Sequence, residues 1–339
     1  MAVMLQSGMT ASIDPARAQN YRLCFLLAAL YNGAFGVRAG LFPNAFFDVF
    51  QVPRIDYPSV WQVLAMVLGL YGLGYAYAAL RLDRATPFIA IGLLGKVIGP
   101  IGWVFTVLVT QELPVRTLPL IIFNDIVWWL PFGLFLLEGR ALGARLRGLA
   151  PYACGVLNLT AAGALALVLR PGTEVGGDEA ARVKFISEHP VLWRRGWALW
   201  VAAALSLAGF LAWWGSRVSN RRLASAALLV ACAGIAFDLT AEALYIGWLP
   251  SDLAAITPAA ALLTGGLGNG LYTVAGTLLT LGTRGIGGWF AAWTWTMWAA
   301  GYGLSAATLL HSFAGAAVCT AVLFALFCPW CVVMGRRLA

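Results

Sequence analysis

Charge is what this sequence has least of. Of 339 residues, 11% are Asp, Glu, Lys or Arg and 61% are hydrophobic. Soluble globular chains carry about a quarter charged residues and under half apolar ones. The shortage excludes a soluble enzyme, a disordered chain and, despite the formal net charge of +8, a nucleic-acid binder. Lysine is nearly absent: Lys96 and Lys184 stand alone among 22 basic residues, the rest being Arg. Histidine is limited to His189 and His311. That is too few for the many ligands of a membrane desaturase, and both are expected outside the apolar layer where a haem b bundle needs its axial ligands. No D-x-x-x-D cluster, Walker motif, Rossmann glycine pattern, H-E-x-x-H or G-x-S-x-G occurs. No cofactor and no metal is therefore expected. Four of the six cysteines are scattered in apolar runs and make no disulfide framework.

Long apolar runs are what is present. About 20 apolar residues cross a bilayer as a helix. Ten such runs are found, near 21–42, 59–80, 86–110, 117–137, 149–169, 196–215, 223–249, 254–282, 288–309 and 313–334. The expected fold class is all-α, a polytopic transmembrane helical bundle of about ten spans, with the lipid bilayer as its first partner. Residues 1–20 show no cleavable signal pattern, so the first span is expected to be retained. Basic residues favour alternate connections, including Arg81 and Arg84, then Arg140, Arg145 and Arg147, then Arg217, Arg221 and Arg222, and finally Arg336 and Arg337. The positive-inside rule then puts both termini in the cytoplasm. The Arg, Ala and Gly bias fits a bacterial inner membrane. The longest connection, 170–195, nearly cancels in charge and is expected outside, with a short amphipathic helix from Asp178 to Glu188. The basic stretch 138–148 divides a four-span module, 1–140, from a six-span module, 141–339.

Ionisable groups inside spans are expensive and point to function. Lys96 and Asp125 lie about 15 and 18 Å from the same side of sequential antiparallel spans, which predicts a buried ion pair. Such a pair fixes register or relays protons. Asn124, Trp128 and Trp129 surround Asp125 and could line a polar pocket; Asp125 and Trp129 share a face at i, i+4. Gly92, Gly95, Gly99 and Gly102 recur around Lys96 at the spacing of close helix packing. Asp238 and Glu242 are i, i+4 on one face of the seventh span, where two carboxylates do not both carry charge in low dielectric. Asn269, at similar depth in the eighth span, sits with Tyr272 in a glycine-rich, breakable helix. Broken helices at mid-membrane expose backbone to ions or substrates. Asp238, Glu242, Asn269 and Tyr272 are therefore the candidate substrate or proton site, although Asn269 could simply satisfy Asp238. Trp193, Trp197, Trp213 and Trp214 fall near span ends, as an interfacial belt or as the lining of an apolar ligand site.

Cys328-Pro-Trp-Cys331 has the spacing of a redox dithiol. It closes an apolar helix instead of opening one, so the helix dipole has the wrong sign to activate it. Two thiols alone cannot complete a zinc site.

Three short motifs, Leu41-Phe42-Pro43, Gly-Leu-Gly-Tyr at 72–75 and Gly-Leu-Leu-Gly-Lys at 92–96, give the first 140 residues a likeness. This part resembles small four-helix bacterial membrane proteins of the DoxX-like kind. The resemblance implies membrane residence and a loose link to redox enzymes, and carries no site residues. The expected function is a small-solute transporter or permease, with proton coupling through the intramembrane carboxylates. Two alternatives stay open: a membrane enzyme or binder acting on a lipid or isoprenoid, and an accessory subunit contacting a redox complex. Homo-oligomers are compatible with each.

Overall fold

The computed structural model describes residues 13–247 and 253–338. Every regular element among them is helical. The chain divides into two compact units, Met1–Ala144 and Arg145–Ala339.

Unit 1 contains α1 (Pro15–Leu41), the short α2 (Ala45–Phe50), α3 (Pro58–Leu80), α4 (Thr86–Leu108) and α5 (Val115–Leu136). Asp14 starts α1, its Oδ1 accepting from the Ala16 amide at 2.9 Å. It thereby satisfies one of the orphan donors of the first turn. Pro58 and Pro87 stand in the first turns of α3 and α4, where the missing N–H costs nothing. Helices α1 and α3 form the most extensive contact of the unit. Its core gathers Tyr21, Phe25, Tyr75, Ile89, Trp128, Phe132 and Phe135. Outside that core, large apolar side chains point away from the protein: Leu26, Leu30 and Val37 on α1, Val63, Leu70 and Leu73 on α3, and Ile91, Leu94, Ile98 and Ile101 on α4. Apolar surface this continuous needs an apolar surrounding, and a bilayer supplies it.

Unit 2 takes in most of α6 (Ala141–Gly172), then α7 (Glu179–Glu188), α8 (Pro190–Gly215), α9 (Arg221–Gly247) and α10 (Leu253–Ala261). A wide, π-helical stretch, Leu262–Gly268, leads into α11 (Asn269–Gly282), followed by α12 (Gly288–Leu309) and α13 (Phe313–Leu338). Helix α9 is central, packed against α8, α10, the π-helical stretch and α11. The helix expected in the 170–195 connection is α7, capped by Asp178, whose Oδ1 accepts from Ala181 N at 2.8 Å. Its Arg182 is buried. It reaches Glu174 at 3.7 Å and donates to Thr257 Oγ1 at 3.2 Å, tying the connection to α10.

Among the described residues, eight helices are long and apolar enough to cross a membrane: α1, α3, α4, α5, α6, α8, α9 and α13. The chain is thus an integral, multi-pass, all-α membrane protein. These eight plain spans and two further helical segments fit the expected bundle of about ten. The other two segments are helical but differ from plain spans. Leu253–Gly282 carries Thr257, Pro258, Thr264 and Asn269 among its glycines, and α12 mixes Trp with Thr, Gly and Ser. The belt expectation is also revised. Trp193, Trp213 and Trp214 are buried inside the unit, so these indoles build its core.

Candidate functional site

The main cavity of unit 2 measures about 190 Å³. Among the residues that line it are Asn158 of α6, Trp197, Trp200 and Leu207 of α8, and Asp238 of α9. Thr264 and Gly265 of the π-helical stretch, Asn269 and Tyr272 of α11, Trp298 of α12, and Phe324 and Phe327 of α13 complete much of its wall. Asp238 is the one carboxylate in that lining, and no basic residue accompanies it.

Local backbone geometry puts Asp238 there. A Cβ on Gly234 would stand 3.0 Å from the Gly268 carbonyl oxygen and from Tyr272 Cδ1, and one on Gly268 would stand 3.3 Å from Asp238 Cβ. The two glycines let α9 and the π-helical stretch touch backbone to backbone. Asp238 then receives two hydroxyl donors: Thr264 Oγ1 donates to Oδ1, and Tyr272 Oη donates to Oδ2 at 2.8 Å. Asn269 does not satisfy Asp238. Its Nδ2 donates across to α12, to the Gly301 carbonyl at 2.7 Å and to Ser305 Oγ at 2.9 Å. Ser305 in turn donates to the Gly265 carbonyl at 3.2 Å. A π-helical turn leaves backbone carbonyls out of the regular ladder, and here side chains of α12 fill part of that role.

Three of the four residues singled out in this region, Asp238, Asn269 and Tyr272, therefore meet at one cavity. Glu242 does not line it. One turn further along α9, it is buried at 1% exposure, and neither carboxyl oxygen has a hydrogen-bond partner among the described residues. Thr264 was not singled out from sequence, yet its hydroxyl is one of the two donors to Asp238. Its signal was available, a lone hydroxyl in Leu-Leu-Thr-Gly-Gly ahead of Asn269. Asn158 was also missed. It stands alone in the apolar run of α6, and its Nδ2 donates to the Cys154 carbonyl at 2.9 Å. Trp197, whose position admitted either a belt or a ligand lining, forms cavity wall. It stacks on Tyr245 with ring centres 4.0 Å apart.

In unit 1 the expected direct pair of Lys96 and Asp125 is not formed, because no contact between them falls within ion-pair distance. The cause is a π-helical turn, Ile122–Ile126, inside α5. It turns the Asn124 carbonyl toward α4, and the Lys96 ammonium donates to that oxygen. Asn124 Nδ2 donates to Asp125 Oδ1 at 2.9 Å, so Asn124 stands between the two charges. The Lys96 ammonium also lies 5.7 Å from the Tyr75 ring centre and 5.9 Å from that of Trp128, within cation–π range. Trp128 Nε1 donates to the Phe123 carbonyl and Trp129 Nε1 to the Lys96 carbonyl, at 2.9 and 2.8 Å. Asn124 and Trp129 thus tie α4 to α5 through main-chain oxygens, while Trp128 bonds within α5.

Cys328 and Cys331 are buried inside α13, not at its start, and all six cysteines are free thiols. A third thiol, Cys154 of α6, hydrogen-bonds Cys331. No group of three or more His, Cys, Asp or Glu among the described residues is arranged to hold a metal ion. The chain matches no protein-family model, no curated protein and no solved structure.

Proposed function

We propose that this protein is a membrane carrier for a small organic ammonium ion, which docks at Asp238 and is exchanged for a proton held at Glu242. The observation that carries the reading is the cavity lining: a single carboxylate, no basic residue, and the rings of Trp197, Trp200, Trp298, Phe324 and Phe327. An ammonium ion is attracted both by a carboxylate and by aromatic faces. An anion finds no such complement there. The tyrosine and threonine donors on Asp238 are weak enough partners for a cation to replace or join. The π-helical break next to Thr264 supports a carrier further, since irregular backbone at a binding cavity is the usual place for opening and closing. Glu242, one turn away and without a hydrogen-bond partner among the described residues, is the natural holder of the exchanged proton, because an unpaired charge buried there costs several kcal/mol or more. The alternating arginines support a bacterial inner membrane with both termini in the cytoplasm.

The test is flux in proteoliposomes, with phenethylammonium as the probe and an acid interior as the driving force. The wild type is expected to accumulate the probe saturably and to lose accumulation when the pH gradient is collapsed. Glu242→Gln is expected to bind the probe but to ignore the gradient. Uptake no faster than in empty liposomes would sink the reading.

A further inference from the structure

One end of unit 2 is basic without any acidic residue. Trp214 Nε1 donates to Thr283 Oγ1 and Arg217 Nε donates to the Leu338 carbonyl, each at 2.8 Å. The end of α8, the turn after α11 and the end of α13 therefore meet. The segments 215–223, 283–288 and 334–338 carry Arg217, Arg221, Arg222, Arg284, Arg336 and Arg337, all exposed, and no Asp or Glu. A crevice of about 170 Å³ opens in this face, with Arg284 and Arg337 at its rim and Ile286, Phe290 and Met334 in its wall. The Arg337 guanidinium lies over the Phe290 ring at 4.2 Å, which holds it in place. Among the described residues, neither Arg284 nor Arg337 has a hydrogen-bond or carboxylate partner. Gly285, at the tip of the turn, has a φ of 88°, a conformation that lets the turn fold tightly beside the crevice.

We propose that this crevice binds the phosphate of an anionic phospholipid. Two unpartnered guanidinium groups match a phosphate by charge and by fork geometry. The other half of the crevice is apolar, which a free phosphate ion would not use but a glycerol backbone and first acyl carbons would. Trp289, 64% exposed, stands beside it. An amphipathic ring at that position suits the headgroup level of a bilayer. The site is separate from the Asp238 cavity and does not depend on what that cavity carries.

Thermal unfolding of the full chain in a mild non-ionic detergent tests this, with phosphatidylglycerol, phosphatidylcholine and inorganic phosphate titrated separately. Phosphatidylglycerol is expected to raise Tm saturably, and the other two to leave it unchanged. In Arg284→Gln/Arg337→Gln the half-saturating lipid concentration rises about thirtyfold, from about a fivefold loss per arginine near a membrane surface. Arg221→Gln/Arg222→Gln, equal in charge but off the crevice, changes it little. Arg284→Gln alone serves if the double variant fails to fold. Equal protection by inorganic phosphate would show a free-anion site and overturn the proposal. So would an equal loss in both double variants, which would mean diffuse charge attraction, or the absence of any preference for phosphatidylglycerol.

Discussion

Gly36→Ala is expected to destabilise unit 1 although it adds a single methyl group. An alanine Cβ at Gly36 would stand 2.8 Å from the Ala65 carbonyl oxygen, 2.9 Å from Gly69 Cα and 3.0 Å from Gly69 N. All three are backbone atoms of α3, so no side chain can swing aside. Helices α1 and α3 would have to part by about half an ångström along their contact, at an overpacking cost of about 1–3 kcal/mol. Gly33 and Gly40 lie on the same helix, and a Cβ on either meets nothing within 4 Å. Gly33→Ala and Gly40→Ala are therefore expected to gain helix propensity, about 0.5–1 kcal/mol each. Gly36→Ala gains the same propensity, so the two classes should differ by the overpacking cost alone, about 1–3 kcal/mol. Equilibrium unfolding of the three variants in mixed micelles, with SDS as denaturant and circular dichroism as the readout, measures this. If Gly36→Ala proves as stable as Gly33→Ala, the close approach of α1 and α3 is not real and the reasoning fails.

Other expectations follow from single contacts. Lys96→Met removes the donor to the Asn124 carbonyl inside the π-helical turn and is expected to cost about 1–3 kcal/mol; unchanged thermal unfolding would contradict the placement of Lys96. Trp330 is fully buried among Phe210, Trp214, Phe290, Trp298 and Phe327, with Nε1 donating to Thr294 Oγ1 at 2.9 Å. Trp330→Ala should cost about 3–5 kcal/mol, whereas Thr294→Val should cost about 1 kcal/mol, both read from unfolding midpoints. Glu242→Gln removes no hydrogen bond, so its Tm is expected to equal or exceed that of the wild type; a large drop would reveal a structural role for the carboxylate.

Much of the fold was legible because membrane spans are written in composition and length. Helix positions follow from runs of apolar residues, and the short helix α7 falls in the Asp178 to Glu188 segment where a surface helix was expected. The span count was less legible. The segment 288–309 reads as a span by its aromatic content, yet its Thr, Gly and Ser keep it below the apolarity of the eight plain spans. At the site, Asp238 and Asn269 line one cavity at their similar depths, but the hydroxyl of Tyr272, not the Asn269 amide, meets Asp238. Three details needed coordinates. Helical periodicity places Asp125 and Trp129 on one face, but the π-helical turn adds a residue, shifts the register, and puts Asn124 between Lys96 and Asp125. Small residues at packing spacing do not reveal which of them touch. Cβ atoms on Gly92 and Gly99 would press on Tyr75 and Asp125, while those on Gly95 and Gly102 would meet open space. Tryptophans near span ends cannot be sorted into lipid-facing, core and cavity-lining sets without knowing how each helix is turned: Trp213 packs in the core while Trp197 lines the cavity.

The most direct measurement is the binding of phenethylammonium to the purified protein, wild type beside Asp238→Asn, by calorimetric titration, with the neutral isostere 2-phenylethanol as control. The wild type should bind the cation and not the alcohol, and Asp238→Asn should lose at least tenfold in affinity, the loss of a partly buried charge pair being worth more than about 1.4 kcal/mol, while remaining folded by circular dichroism. Equal binding of cation and alcohol, or an affinity unchanged in a folded Asp238→Asn, would contradict the role assigned to this carboxylate.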